Sequence, residues 1–173
     1  APHQIAVYIN ANTTLIATAD SVSMLYPDFP YRFIPTTPPP SFDYKKYIET
    51  VNRLRVFDAK ILLMPHFGIS DKPSSVFDAT LASIDEWVSL VQGLIDDINK
   101  KRVRGEEKAR GVDEQGIDAN TNNNLTLKIL ESSIINYVSS TTRVSVDSIP
   151  EYVKNSIRNS VKGIYSYLIN RRE

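Results

Sequence analysis

The chain lacks cysteine and has only two histidines, His3 and His66, among its 173 residues. Disulfide bonds and thiolate metal sites are therefore excluded, and an all-histidine metal site cannot be built. The 20 basic and 20 acidic side chains give a formal net charge of zero. This balance predicts neither a broad nucleic-acid footprint nor a polybasic membrane surface.

Long apolar runs are also missing from the sequence. No stretch approaches the roughly 20 residues that a membrane-spanning helix needs. The first ten residues combine neither a basic start nor a long apolar segment, so we expect no signal peptide. These features predict a cytoplasmic protein that binds neither membranes nor nucleic acid.

What the sequence does contain predicts an α/β fold. Residues 4–10, in which Ile5, Val7 and Ile9 alternate along the chain, and residues 13–19 are strand-like runs, and Asn10-Ala11-Asn12 between them predicts a hairpin turn. Residues 61–64 form a short apolar run and predict a buried strand. A helix over 42–58, with Ser41 as its cap, precedes this strand, and helix followed by strand is the α/β order.

The remaining segments read as one extended loop and three helices. Six of the ten prolines fall in residues 24–40, which predicts an extended loop. Apolar residues spaced three and four apart predict a helix over 77–98, capped by Ser74 or Ser75. Two further helices are expected over 125–140 and 148–172, the second beginning with a capping box.

That capping box pairs Ser148 with Glu151.

Residues 101–124 are polar and glycine-bearing and predict a mobile loop. The chain therefore divides into residues 1–100, this loop, and a helical C-terminal extension over 125–173. Because the first strand starts almost at residue 1 and the helix over 77–98 is so apolar, we expect a fragment that cannot cover its own apolar surface.

Two predicted strands end in polar side chains. Asp20 follows the strand over 13–19, and His66 follows the apolar run over 61–64. Catalytic groups gather at such strand ends in α/β sheets, and a carboxylate with an imidazole can bind zinc, iron or manganese. The alternative for His66 is a histidine in a surface turn. A shared site requires the two side chains to lie within about 10 Å of each other, since metals of a two-metal site lie close together.

An aromatic segment follows Asp20 and allows two interpretations. Tyr26, Arg32 and Phe33 either form the wall of a substrate pocket, with Arg32 contacting an anion, or they pack within the loop and fix it in place.

In order and spacing, residues 1–100 resemble the C-terminal half of a metallo-β-lactamase-superfamily hydrolase. That superfamily has a strand ending in T-P-G-H, a hairpin leading to G-D-S, and a later strand ending in a histidine shortly before a glycine. Here the corresponding segments are "APHQIAVYI", "TLIATADS" and "ILLMPHFG". The resemblance implies about half of an αβ/βα sandwich, followed by a helical C-terminal extension.

By this resemblance Asp20 is the metal-bridging, catalytic aspartate and His66 is the last histidine ligand of the second metal. His3 would be a neighbour of the site, because the ligand histidine itself would precede Ala1. Two departures stand out. Ala19 replaces the glycine that usually precedes the aspartate, and the H-x-H-x-D-H signature is absent because the superfamily carries it in the N-terminal half.

The resemblance implies a metal-dependent hydrolase in which a metal-bound hydroxide attacks an ester, thioester, lactone or phosphodiester. Its cofactors would be two divalent metal ions, with zinc first and iron or manganese as alternatives. Residues 1–173 alone are expected to be inactive and to associate with their own N-terminal half or with a second copy. The alternatives are a non-catalytic helical interaction module and an iron-dependent redox relative on the same fold. Small molecules are the expected substrates.

Overall fold

The computed structural model describes residues 5–31, 33–64, 66, 68–105 and 119–171, and it confirms a mixed α/β chain. The strands are β1 Val7–Asn10, β2 Thr14–Ala17, β3 Met24–Leu25, β4 Phe33–Ile34, β5 Ile61–Met64 and β6 Gly68–Ser70. The helices are α1 Tyr44–Arg55, α2 Pro73–Val103, α3 Ala119–Thr142 and α4 Glu151–Asn170.

The main sheet has the strand order β1-β2-β5-β6. The predicted hairpin joins β1 and β2, and β5 and β6 are also antiparallel. Only β2 and β5 are paired in parallel, with Ile16 opposite Leu62. Because parallel strands end at the same edge of a sheet, the segments after β2 and β5 emerge side by side.

The described residues of the proline-rich segment form no helix, as predicted, but they are not one extended loop, because the chain turns back at residues 27–31. Within this segment, β3 and β4 form a separate two-stranded sheet in which Met24 lies opposite Ile34. Both of these residues are buried, so the segment belongs to the core and does not lie over the surface.

The two faces of the main sheet differ sharply. The helix-covered face carries Ile16, Leu62 and Met64, and all three side chains are buried. The other face, called the open face below, is aliphatic at every strand position described, and its side chains are exposed or half-buried. The residues of the open face are Val7, Ile9, Leu15, Ala17, Ile61, Leu63 and Ile69.

The predicted helix caps are wrong in detail. Asp43, not Ser41, caps α1, and its carboxylate accepts a hydrogen bond from the backbone N–H of Lys46 at 3.0 Å. Carboxylates suit this position because they satisfy a free N–H and oppose the positive end of the helix dipole. Helix α2 begins at Pro73 without a side-chain cap from either predicted serine, Ser74 or Ser75.

The predicted capping box at α4 does not form. Pro150 is the cap residue, and its ring presets the backbone at the helix start. Ser148 lies in a short 3-10 turn, and its hydroxyl is 2.8 Å from the hydroxyl of Ser145. Glu151 binds Arg158 through a hydrogen bond of 2.6 Å. Proline therefore starts this helix, and the serine and glutamate are used elsewhere.

The predicted loop over 101–124 is helical at both ends. Helix α2 continues to Val103, and basic side chains in its last turn favour this extension because they oppose the helix dipole. Helix α3 starts at Ala119, and residues 106–118 lie outside the described residues. The buried side chains of the sheet, the proline-rich segment and all four helices form one continuous core. None of the described helices is long and apolar enough to cross a membrane.

Candidate functional site

Asp20 and His66 lie together at the shared edge of β2 and β5. The backbone N–H of Thr18 donates to the carbonyl oxygen of Leu63 at 3.0 Å, which continues the strand pairing past β2. The chains then turn, and Asp20 Oδ1 lies 3.6 Å from His66 Nε2. The predicted proximity of these two side chains is therefore confirmed.

The backbone is left-handed at two positions of this pair, at Ala19 directly before Asp20 and at His66 itself. Ala19 has φ of 45° and His66 has φ of 62°. Such angles cost roughly 1–2 kcal/mol for a residue with a Cβ. Left-handed backbone also explains why a glycine would be favoured at position 19, where the resembled family has one. Strained backbone at a cluster of functional side chains is typical of active sites.

The exposure of the pair leaves both groups accessible. The Asp20 side chain is 25% exposed and the His66 side chain is 52% exposed. Carboxylate and imidazole are both metal ligands, so the two side chains fit a shared metal site. In the described part of the chain, however, no group of three or more His, Cys, Asp or Glu side chains converges. Because protein zinc sites use at least three protein ligands, the pair fits part of a metal site only.

His3 lies outside the described residues, so its predicted place beside the site stays a prediction.

A cavity of about 520 Å³ opens beside Asp20. Its other walls come from the proline-rich segment and the first two turns of α1, which run past the end of β2. The lining is a mixture of hydroxyl groups, rings and charged groups. The lining residues are Asp20, Ser21, Thr36, Pro38, Pro40, Ser41, Phe42, Asp43, Lys46, Tyr47 and Thr50.

Residues 35–40, called the strap below, form one wall of this cavity. Side chains of an extended chain alternate in direction, and the even-numbered strap residues Thr36, Pro38 and Pro40 line the cavity. The odd side faces α4: the Thr37 hydroxyl donates to the Ser160 carbonyl oxygen at 2.8 Å. The Ser160 hydroxyl in turn donates to the Pro35 carbonyl oxygen.

Tyr47 is a cavity residue that the sequence analysis missed as a site residue. The side chain is 9% exposed, and burial raises the pKa of its hydroxyl far above the usual value. Ser23 and the Thr36 backbone lie nearby, but in the described part of the chain no group meets this hydroxyl with hydrogen-bond geometry. On an amphipathic helix its apolar spacing predicts only a core residue, so no sequence signal sets it apart.

The aromatic residues predicted for the pocket wall are placed differently. Tyr26 is 4% exposed, and its hydroxyl donates to the Ser156 hydroxyl of α4 at 2.5 Å. Tyr26 and Phe33 do not belong to the cavity lining described above, and the placement of Tyr26 fits the alternative of packing within the core. Arg32 lies outside the described residues. The strap, which lies three to eight residues after Arg32, supplies this wall of the cavity instead.

Comparison with protein-family models, with curated proteins and with solved structures found no match to this chain.

Proposed function

We propose that the chain is part of a metal-dependent hydrolase of the metallo-β-lactamase superfamily, with Asp20 and His66 as two of its metal ligands. The observation that carries the proposal is the 3.6 Å distance between Asp20 Oδ1 and His66 Nε2 at the ends of two parallel strands. The left-handed backbone at Ala19 adds support, because it fits the glycine that the superfamily has at this position.

The chemistry of the two side chains matches their proposed roles. A carboxylate offers two oxygens and can hold two metal ions, whereas a neutral imidazole offers one nitrogen to a single ion. Bound divalent metal would supply Lewis acidity and lower the pKa of water to about 7, so that hydroxide is available at neutral pH. Asp20 and His66 would hold such ions beside the cavity that Asp20 helps to line.

No third ligand joins this pair in the described residues, so the proposal assigns the remaining ligands to another unit, and the open face supports this part of the proposal. Ile69 on this face is 75% exposed, and Val7 and Ile9 are each nearly half exposed. An aliphatic sheet face packs against a second sheet in layered folds. The unit that covers it would be the N-terminal half of the same protein or a second copy of this chain.

The open face also favours the second candidate function, a non-catalytic interaction module. Such a module would use the same surface to bind a partner and would need no metal. The two candidates differ in metal content, which the following experiment measures. It also identifies the metal, because an iron-dependent redox relative would carry iron.

The test is the metal content of the intact gene product, measured by inductively coupled plasma mass spectrometry. The hydrolase should retain about two equivalents of divalent metal per chain. Asp20→Ala and His66→Ala should each lower this content by about one equivalent or more, because each removes a protein ligand. Asp28→Ala is the matched control, since Asp28 is an exposed carboxylate outside the site. Metal-free wild-type protein, or equal metal in all four proteins, would refute the hydrolase.

A further inference from the structure

We infer that the strap cavity is the substrate site of the proposed hydrolase, and that it takes a compact, uncharged acyl compound in preference to a phosphodiester. The inference rests on the proposed function for its chemistry, but its binding test does not. The sequence analysis left ester, thioester, lactone and phosphodiester open. The lining of the cavity distinguishes the first three from the last.

The size and lining of the cavity suit a small organic ligand. Its volume of about 520 Å³ lies within the ~300–1,000 Å³ typical of such sites. Pro38, Pro40 and Phe42 supply apolar surface, while the hydroxyl-bearing side chains of the lining supply polar contacts. Small-molecule sites combine apolar wall with placed polar groups, and this lining offers both, with polar residues in the majority.

In the part of the cavity away from Asp20, the charged side chains of the lining disfavour binding of an anion. Lys46 is the one cation among the described lining residues, and its Nζ lies 4.0 Å from Asp43 Oδ2, which neutralises it in part. The Lys46 side chain is also 81% exposed, so solvent screens its charge. Phosphate groups are usually bound by clusters of arginine or lysine, and the described lining has no such cluster.

The other common anion site, the start of a helix, is already occupied here. Helix α1 begins beside the cavity, and its free N–H groups would attract a phosphate. The Asp43 carboxylate takes that place by accepting from the N–H of Lys46 at 3.0 Å. A phosphodiester would have to approach this carboxylate, and like charges repel.

The wall of the cavity is held in place by α4, which limits its size. Gly163 of α4 lies so close to the strap that a Cβ at this position would overlap the Thr37 carbonyl oxygen. Together with the two hydrogen bonds to Ser160, this contact keeps the strap from moving outward. The site therefore favours compact ligands over extended ones.

The test compares two probes of similar size on the 173-residue chain. One is the uncharged amide 4-nitrobutyranilide, and the other is the anion ethyl 4-nitrophenyl phosphate. Binding is followed by backbone amide shifts in NMR spectra without added metal. We expect the amide to bind at least about fivefold more tightly, because it meets no like charge. We also expect its shifts to centre on Thr36, Lys46 and Thr50.

Two tryptophan variants locate the binding. Thr50→Trp fills the cavity from α1 and should weaken amide binding by about tenfold, because bulk replaces ligand space. Glu49→Trp is the control: it is the next residue on the same helix, is exposed, and lies outside the lining. Far-UV circular dichroism should show the same helix content in both.

The outcomes separate this inference from the proposed function. The substrate class and its site would be overturned if ethyl 4-nitrophenyl phosphate bound as tightly as the amide or more tightly. They would also be overturned if neither probe bound, or if Thr50→Trp bound the amide as tightly as the wild type does. Metal content in the intact protein judges the hydrolase separately. A protein that binds the amide in the cavity but carries no metal would keep the binding site and lose the hydrolase.

Discussion

At the scale of single residues, the site depends on two backbone conformations that ordinary side chains avoid. Ala19, which precedes Asp20, and His66 both have positive φ. The side chains of Asp20 and His66 approach each other from these two segments. Hydrogen bonds on both sides fix the backbone around Ala19, since the backbone N–H groups of Thr18 and Ser21 are both engaged. Local strain is therefore tolerated because it turns two side chains toward each other.

Replacing Ala19 by glycine should relieve part of this strain. We expect Ala19→Gly to raise the free energy of unfolding by about 0.5 kcal/mol, because relief of the left-handed conformation outweighs the added chain entropy of glycine. Urea denaturation monitored by circular dichroism measures the change. Ala82→Gly, at an exposed position inside α2, should instead lower stability by about 1 kcal/mol. A loss of stability in both variants would contradict a strained Ala19.

At the scale of elements, α2 is tied to the neighbouring segments through ring and carboxylate contacts that run from buried Trp87 to exposed Glu86. Trp87 of α2 donates to the Tyr31 hydroxyl at 2.8 Å, and Tyr31 donates to Glu86 at 2.8 Å. Tyr137 of α3 donates to the other oxygen of Glu86. Burial, and hydrogen bonding to Glu86, raise the pKa of Tyr31, so its hydroxyl stays protonated and keeps donating at neutral pH.

Helix α4 and the strap form a second such junction, and it depends on a glycine. We expect Gly163→Ala to lower the free energy of unfolding by about 2–3 kcal/mol or more, because the added methyl meets the rigid backbone of Thr37. Equilibrium urea unfolding is the measurement.

Gly93→Ala provides the matched control for this prediction. Gly93 is also helical, but a Cβ there would meet nothing within 4 Å. Alanine should therefore stabilise α2 by about 0.5–1 kcal/mol. If both alanine variants were more stable than the wild type, the close contact between α4 and the strap would be refuted.

At the scale of the whole molecule, the dominant feature among the described residues is a sheet whose open face is exposed or half-buried. The helices bury one face, while the open face presents seven aliphatic side chains. Four strands of about four residues span a plane of roughly 250 Å². Stable interfaces bury about 800 Å² per partner, so this face alone supports only weak association between copies. A covering sheet within the same folded unit would satisfy it better.

We therefore expect the 173-residue chain on its own to self-associate at high protein concentration, to bind metal poorly and to lack hydrolase activity. Val7→Lys combined with Ile69→Lys should reduce self-association, because two charges would be buried in an apolar contact. Sedimentation velocity at several concentrations measures this.

Val56→Lys is the control for surface charge, since Val56 is 82% exposed and directly follows α1, so it does not belong to the open face. It should associate like the wild type. A wild-type chain that stays monomeric at all concentrations, or that binds two metal ions tightly and turns over esters by itself, would refute the proposal that a second unit is needed.

The four helices, the hairpin and the strand over 61–64 follow from the sequence, whereas the short strands β3, β4 and β6 do not. The strand-like runs over 4–10 and 13–19 predict the hairpin, and the spacing of apolar residues predicts four helices, because these patterns reflect local geometry that each segment carries within itself. The sequence also determined which two strands end in Asp20 and His66. Helix starts were harder to predict, because Asp43 and Pro150 compete with nearby serines for the same role.

The surroundings of the site depend on contacts between segments that are distant in sequence. The even-numbered strap residues line the cavity, and Thr37 binds α4. No local sequence pattern predicts this orientation, because it depends on the close approach of the strap to Gly163. The same holds for the open face. Alternation in each strand is local, but strand order and register bring seven aliphatic side chains onto one surface, and contacts between residues distant in sequence set both.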